Sequence, residues 1–136
     1  MKISMFLCAL GAFLVGCSST GTVNSEQLKY TQWQLTQIGQ DVIVDSPVSL
    51  RFIEALQVNG FSGCNRFFGL GKIEEGQLFV RDMGMTRKLC DEPVNKVEQM
   101  LLNMLEIGVP AKIEKGTLIF SGQPRLTFKS VISVAG

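Results

Sequence analysis

The sequence predicts a mainly β fold of the α+β class, a small antiparallel β-barrel-like sheet with one packed helix over about residues 91–106. Three observations carry this. Short segments alternate apolar and polar residues at period two, the signature of half-buried strands. Turns containing glycine separate them, which favours a barrel or sandwich-like sheet. One stretch alone switches to helical spacing.

In order along the chain, residues 30–38 put Trp33 and Leu35 on one face with polar residues between them. Residues 48–53 do the same with Val48, Leu50 and Phe52, and residues 56–61 with Leu56 and Val58. The last two segments lie two residues apart and read as a hairpin. Gln77–Met83 is a further strand candidate, entered through the polar turn Glu74-Glu75-Gly76. Residues 111–114 and 117–120 flank a Lys115-Gly116 turn, and residues 126–128 with the Val131-Ile132 region supply a final strand. Asp91-Glu92-Pro93 opens the helix, because Asp accepts a bond from orphan backbone N–H groups and Pro is tolerated in the first turn. Val94, Val97, Leu101, Met104 and Leu105 then form the buried stripe, with Asn95, Lys96, Glu98 and Gln99 expected to face outward. Gly108-Val109-Pro110 ends it. Met100 and Met104 read as core filling before they read as an adaptable groove.

The N-terminus reads as an address. After Met1-Lys2, residues 3–15 are apolar apart from Ser4, too short for the roughly 20 residues that cross a bilayer and suited to a signal peptide. The run closes on Leu14-Val15-Gly16-Cys17, which resembles the lipobox of bacterial lipoproteins, whose cysteine becomes a lipidated N-terminus. The competing reading is a plain secreted protein with a chance cysteine at its cleavage site. Residues 17–29 are small and polar and read as a flexible tether. The expected organisation is therefore a signal peptide over 1–16, a tether over 17–29 and one domain over 30–136. The membrane partner would be reached through lipid on Cys17. Ser18 after that cysteine resembles the enteric sorting signal for the outer membrane, on its periplasmic face.

Composition narrows the function. Of 13 Lys and Arg only Lys2 precedes residue 17, which leaves 12 basic side chains against 12 acidic ones, no basis for nucleic-acid binding. The chain has no histidine, so the commonest general base and the commonest metal ligand are both missing. Cys64 would need another source of electropositive potential to act as a nucleophile. Glu74 and Glu75 are adjacent in a turn and point apart. No catalytic residue, metal site or cofactor is expected.

The most distinctive stretch is Val58–Gly69, in which Gly60 and Gly63 admit unusual backbone angles, Asn65 can bond nearby backbone, and Phe67 or Phe68 anchors the exit in the core. By itself this is a structural corner or a binding loop around Gly63, Cys64, Asn65 and Arg66. Gly63-Cys64-Asn65 with Phe67 and Gly69, the opening Trp33-Gln34-Leu35, and Met85-Thr86-Arg87-Lys88-Leu89-Cys90 before a helix resemble, in that order, the signature of the META domain family of HslJ-like bacterial lipoproteins. The likeness runs from about Tyr30 to Phe128. Leu70-Gly71 departs from it, where relatives carry an aromatic residue; Glu98 agrees with it, where they carry an acidic one. The resemblance implies a β-barrel-like sheet with one packed helix and a role in envelope stress tolerance, drug resistance or secretion. It carries over no catalytic residue.

Cys64 and Cys90 are expected to form a disulfide. Export puts both in an oxidising compartment, and with Cys8 discarded and Cys17 acylated they are the remaining thiols. Two separate buried thiols are the alternative. The leading functional expectation is a non-enzymatic, lipid-anchored envelope protein. The alternative is a pilotin-like or chaperone-like binder of an apolar peptide or acyl chain, using Phe61, Phe67, Phe68, Met100 and Met104.

Overall fold

The computed structural model describes Gly11 and residues 21–131. The remainder of the expected export signal, Cys17 and Ile132 lie outside the described residues. Nine strands form one antiparallel sheet: β1 (Thr31–Ile38), β2 (Asp41–Val42), β3 (Ser49–Phe52), β4 (Gln57–Phe61), β5 (Arg66–Glu74), β6 (Gln77–Met85), β7 (Val109–Glu114), β8 (Thr117–Phe120) and β9 (Leu126–Ser130). Each strand from β3 to β9 pairs with the next in sequence, and β1 pairs with both β3 and β9. The sheet therefore closes on itself as an eight-stranded barrel, with β2 a short hairpin extension of β1. Closure removes the free edges that would otherwise invite pairing with other chains.

The alternation read from the sequence is the alternation that fills the barrel. Trp33, Leu35, Val48, Leu50, Phe52, Leu56 and Val58 are all buried and belong to one core with Leu118, Phe120, Leu126 and Phe128. The rings of Phe120 and Phe128 meet across the β8–β9 pair with centroids 4.9 Å apart. The β3–β4 hairpin forms as expected, Leu50 opposite Gly60 and Phe52 opposite Val58. Leu56 itself stands in the connecting 3-10 turn, not in a strand.

Helix α2 (Glu92–Ile107) follows β6 and packs against it, where β6 leaves β7 after only two paired residues. Leu101 and Leu105 are buried, and Val97 and Met104 pack beside them, as the stripe requires. Two details differ from expectation. The Asp91 side chain makes no capping bond; its backbone carbonyl instead accepts from Val94 N and Asn95 N, both at 3.0 Å. Glu98, expected to face solvent, is buried.

The domain also starts earlier than residue 30. The expected tether, as far as it is described, packs onto the barrel from Thr22, which bridges to Lys112 of β7. A one-turn helix, α1 (Ser25–Leu28), is closed by a capping box in which Gln27 N donates to Asn24 Oδ1 and Asn24 N donates to Gln27 Oε1, each at 3.0 Å. Val23 before the cap and Leu28 at its fourth residue occupy the positions of a hydrophobic staple, and both lie in the core. Two well-placed apolar residues among polar ones suffice to dock a segment whose composition reads as linker.

Candidate functional site

The site begins at the corner between β4 and β5. Gly63 has φ +95°, a left-handed conformation in which a side chain would be strained. Gly60 is required for a different reason: its φ is ordinary, but the Phe67 ring stands where its Cβ would be, 2.2 Å at the nearest atom. Ser62 N donates to Asn65 O at 2.9 Å, closing a tight turn that points the Asn65 side chain into the protein.

There Asn65 is the hub of a buried polar network. Its amide nitrogen Nδ2 donates to Glu98 Oε1 and to Lys88 O, both at 3.1 Å. Its Oδ1 accepts from Lys88 N at 2.6 Å and from Thr86 Oγ1 at 2.9 Å. Toward Lys88 the side-chain amide thus behaves as a peptide unit of a neighbouring strand, bonding both backbone groups of one residue. All four of its hydrogen-bonding positions are filled. Glu98 closes the network from the helix: Ser62 Oγ donates to its Oε2, as does Asn65 N at 3.1 Å. Ser62 Oγ in turn accepts from Asn65 N at 3.0 Å and Cys64 N at 3.3 Å. Among the described residues no buried side-chain polar atom lacks a partner, the condition under which a buried network stabilises.

The cysteines complete it. Cys64 and Cys90 are joined, with Cα atoms 5.9 Å apart, so the bridge ties the corner to the residue before the helix cap. Asn95 Nδ2 donates to Cys90 O at 2.8 Å from within α2. Segment 86–90 is therefore held from both ends, by Asn65 and by the disulfide. Arg66 is exposed; only its backbone joins, Arg66 N donating to Thr86 Oγ1 at 3.1 Å and Thr86 N to Arg66 O at 3.0 Å.

The META family model matches residues 26–131, which includes every residue of this network. The chain belongs to the META domain family. It is similar to the heat shock protein HslJ of Escherichia coli strain K12, 31% identical over 134 residues that cover 94% of each chain. A protein structure solved by NMR superposes with a TM-score of 0.70 at 27% identity, over 79% of this chain and 94% of the other. A second NMR structure, of a Burkholderia xenovorans protein, gives 0.59 at 24% identity over 78% and 85%, a likeness of fold.

Of the expected site residues, Gly63, Cys64 and Asn65 come together with Cys90, and Arg66 stands outside them on the surface. Glu98 and Ser62 are the members that helical spacing and loop composition did not reveal. The apolar set Phe61, Phe67, Phe68, Met100 and Met104 does not form one groove: Phe67 is in the core, Phe68 is exposed on the opposite face of β5, and Met100 and Met104 pack against the core from α2. An apolar cleft lies elsewhere, about 260 Å³ between β1, the segment leading into β3 and the start of α2, lined by Leu35, Ile43, Pro47, Val48, Val94 and Val97 among others.

Proposed function

We propose that this META protein is a lipid-anchored, non-enzymatic component of the bacterial envelope with a part in stress or drug tolerance. The observation that carries the reading is the Cys64–Cys90 bridge, because such bonds persist in oxidising compartments outside the cytosol. It agrees with the apolar start of the chain and with Leu14-Val15-Gly16-Cys17. The outer membrane, facing the periplasm, is the proposed location. The name of its relative, a heat shock protein, supports the stress role. The state of Asn65 and Glu98 supports a non-enzymatic role: their polar atoms are engaged with each other and with backbone, which leaves nothing directed at a substrate.

A second reading, a pilotin-like or chaperone-like binder of an apolar peptide or acyl chain, draws on the cleft beside Val94 and Val97. Its volume falls just below the roughly 300–1,000 Å³ of ordinary ligand pockets, which favours the first reading. Mass spectrometry of the N-terminus from membranes tests the anchor. Acylated Cys17 is expected, and Cys17→Ser should abolish processing or release the protein from the membrane fraction. A soluble, unmodified form in the native host would refute it.

A further inference from the structure

Strand β5 alternates inward and outward residues along its whole length. Its outward row reads Arg66, Phe68, Leu70, Lys72, Glu74. Phe68 is 58% exposed and Leu70 47%, although both lie in the middle of the barrel wall. Phe68 has a local task, since its ring covers Gly84, yet that contact leaves most of it in water. Leu70 has no such cover. Isolated exposed apolar residues need no explanation, but apolar neighbours in one row with several arginines around them mark a contact surface.

The frame carries more cations than carboxylates, Arg51, Arg66, Lys72 and Arg81 against Glu74 and Asp82. Arg51 stands two strands away in register with Phe68, through Asn59, and Arg81 lies opposite Leu70. Among the described residues Arg51 and Arg66 make no ion pair, while Arg81 reaches Glu74 only at 3.8 Å. Asp82 is an exposed carboxylate lining the same hollow as Leu70. A mature chain with equal numbers of acidic and basic groups has thus gathered arginines around two neighbouring exposed apolar side chains of its barrel wall.

The attachment point selects the occupant. Thr22 packs on Gly76, in the turn that joins β5 to β6, so the chain leaves the barrel at the foot of this same wall. Five residue steps separate Thr22 from Cys17, a reach of at most about 18 Å. From that turn up to Phe68 is about 20 Å along the strand. A barrel anchored so closely can lie on this wall against the bilayer, where apolar side chains enter the headgroup region and arginines meet phosphates.

We propose that the outward face of β5, with Arg51 and Arg81 beside it, rests on the anchoring membrane and recognises its anionic headgroups. This rests on the anchor at Cys17. The test uses lipidated protein in vesicles of phosphatidylcholine with phosphatidylglycerol, the lipids brominated in the acyl chains. Trp33 is buried and supplies a constant background. Leu70→Trp is compared with Lys129→Trp, an exposed position of β9 across the barrel. Leu70→Trp should be quenched several-fold more strongly, and combining it with Arg51→Glu and Arg66→Glu should bring quenching down to the Lys129→Trp level. Neither arginine belongs to the buried network through its side chain, so folding is not at risk.

Acylated Cys17 with equal quenching at the two positions overturns the docking face and leaves the anchor standing. Unmodified Cys17 overturns the anchor; quenching is then read on the unlipidated chain from residue 18, whose core begins at Val23, sedimented with the same vesicles. There, unequal quenching upholds the face and equal quenching overturns it. An acidic protein that protects Leu70 in membranes whose vesicles give no quenching would assign the face to that protein instead, and overturn the proposal.

Discussion

Replacing Glu98 by alanine should destabilise the domain by about 3–5 kcal/mol, as follows from the partners it leaves. Three donors lose an acceptor: Ser62 Oγ, Asn65 N and Asn65 Nδ2. Hydrogen bonds to a carboxylate contribute roughly 1.5–3 kcal/mol each. None of the three is stripped bare, because Ser62 Oγ can still donate to Asn65 O at 3.1 Å, Asn65 N to Ser62 Oγ at 3.0 Å and Nδ2 to Lys88 O at 3.1 Å. The loss therefore falls well short of three full bonds. Glu98→Gln keeps the shape but turns an NH2 group toward donors, and should cost about 2–3 kcal/mol. Against the 5–15 kcal/mol typical of a domain, either change is large. Urea unfolding followed by Trp33 emission measures both, since Trp33 is the chain's single tryptophan and is buried. A cycle with Asn65→Ala should give a coupling of about 1–3 kcal/mol. If Glu98→Ala lies within 1 kcal/mol of wild type, the assignment of Glu98 to the load of the corner is refuted.

Cys64→Ala with Cys90→Ala should cost about 3.5 kcal/mol by the chain-entropy relation for a separation of 26 residues, measured as the change in urea midpoint with and without reductant; a shift under 1 kcal/mol would contradict it. Leu28→Ala should cost about 2–5 kcal/mol, as for a core leucine, whereas a tether residue would cost nothing, and the same unfolding curves decide between them. Lys72 Nζ donates to Glu74 Oε1 at 2.6 Å, and this hydrogen bond, then the Lys72 charge, holds the Glu74 carboxyl below its ordinary 4.5. Because the folded value is the lower one, the small stabilisation is present above pH 4.5 and fades as pH falls through the folded midpoint. Carboxyl NMR titration should show that midpoint rise in Lys72→Ala.

Strands with one wet and one dry face were legible because alternation is a local signal. Leu50 and Phe52 announce their burial through Ser49 and Arg51 between them. Strand β5 was hidden for the opposite reason: Phe68 and Leu70 interrupt its polar outer row, so Phe67 through Leu70 carries no clean period. Residues 22–29 were read as linker on composition, yet Asn24 and Gln27 at capping-box spacing, between Val23 and Leu28, held the signal for a docked turn.

Glu98 marks the limit of periodicity. On the helix it belongs to the polar side by type, and only the partner across the gap decides which way that side faces. The partner is a corner whose Asn65 N and Ser62 hydroxyl point inward, and that direction is set by Gly63 at φ +95° and by the Ser62–Asn65 turn. A carboxylate can be buried there because Ser62 Oγ, Asn65 N and Asn65 Nδ2 all donate to it. The sequence did contain Asn65 and Glu98, 33 residues apart, but no local rule links an amide in one loop to a carboxylate on a later helix. What links them is the Cys64–Cys90 bond, which brings the start of α2 to the corner and leaves Glu98, two turns in, level with Asn65. The disulfide and the polar network are therefore one device: each holds segment 86–90 in the position the other needs.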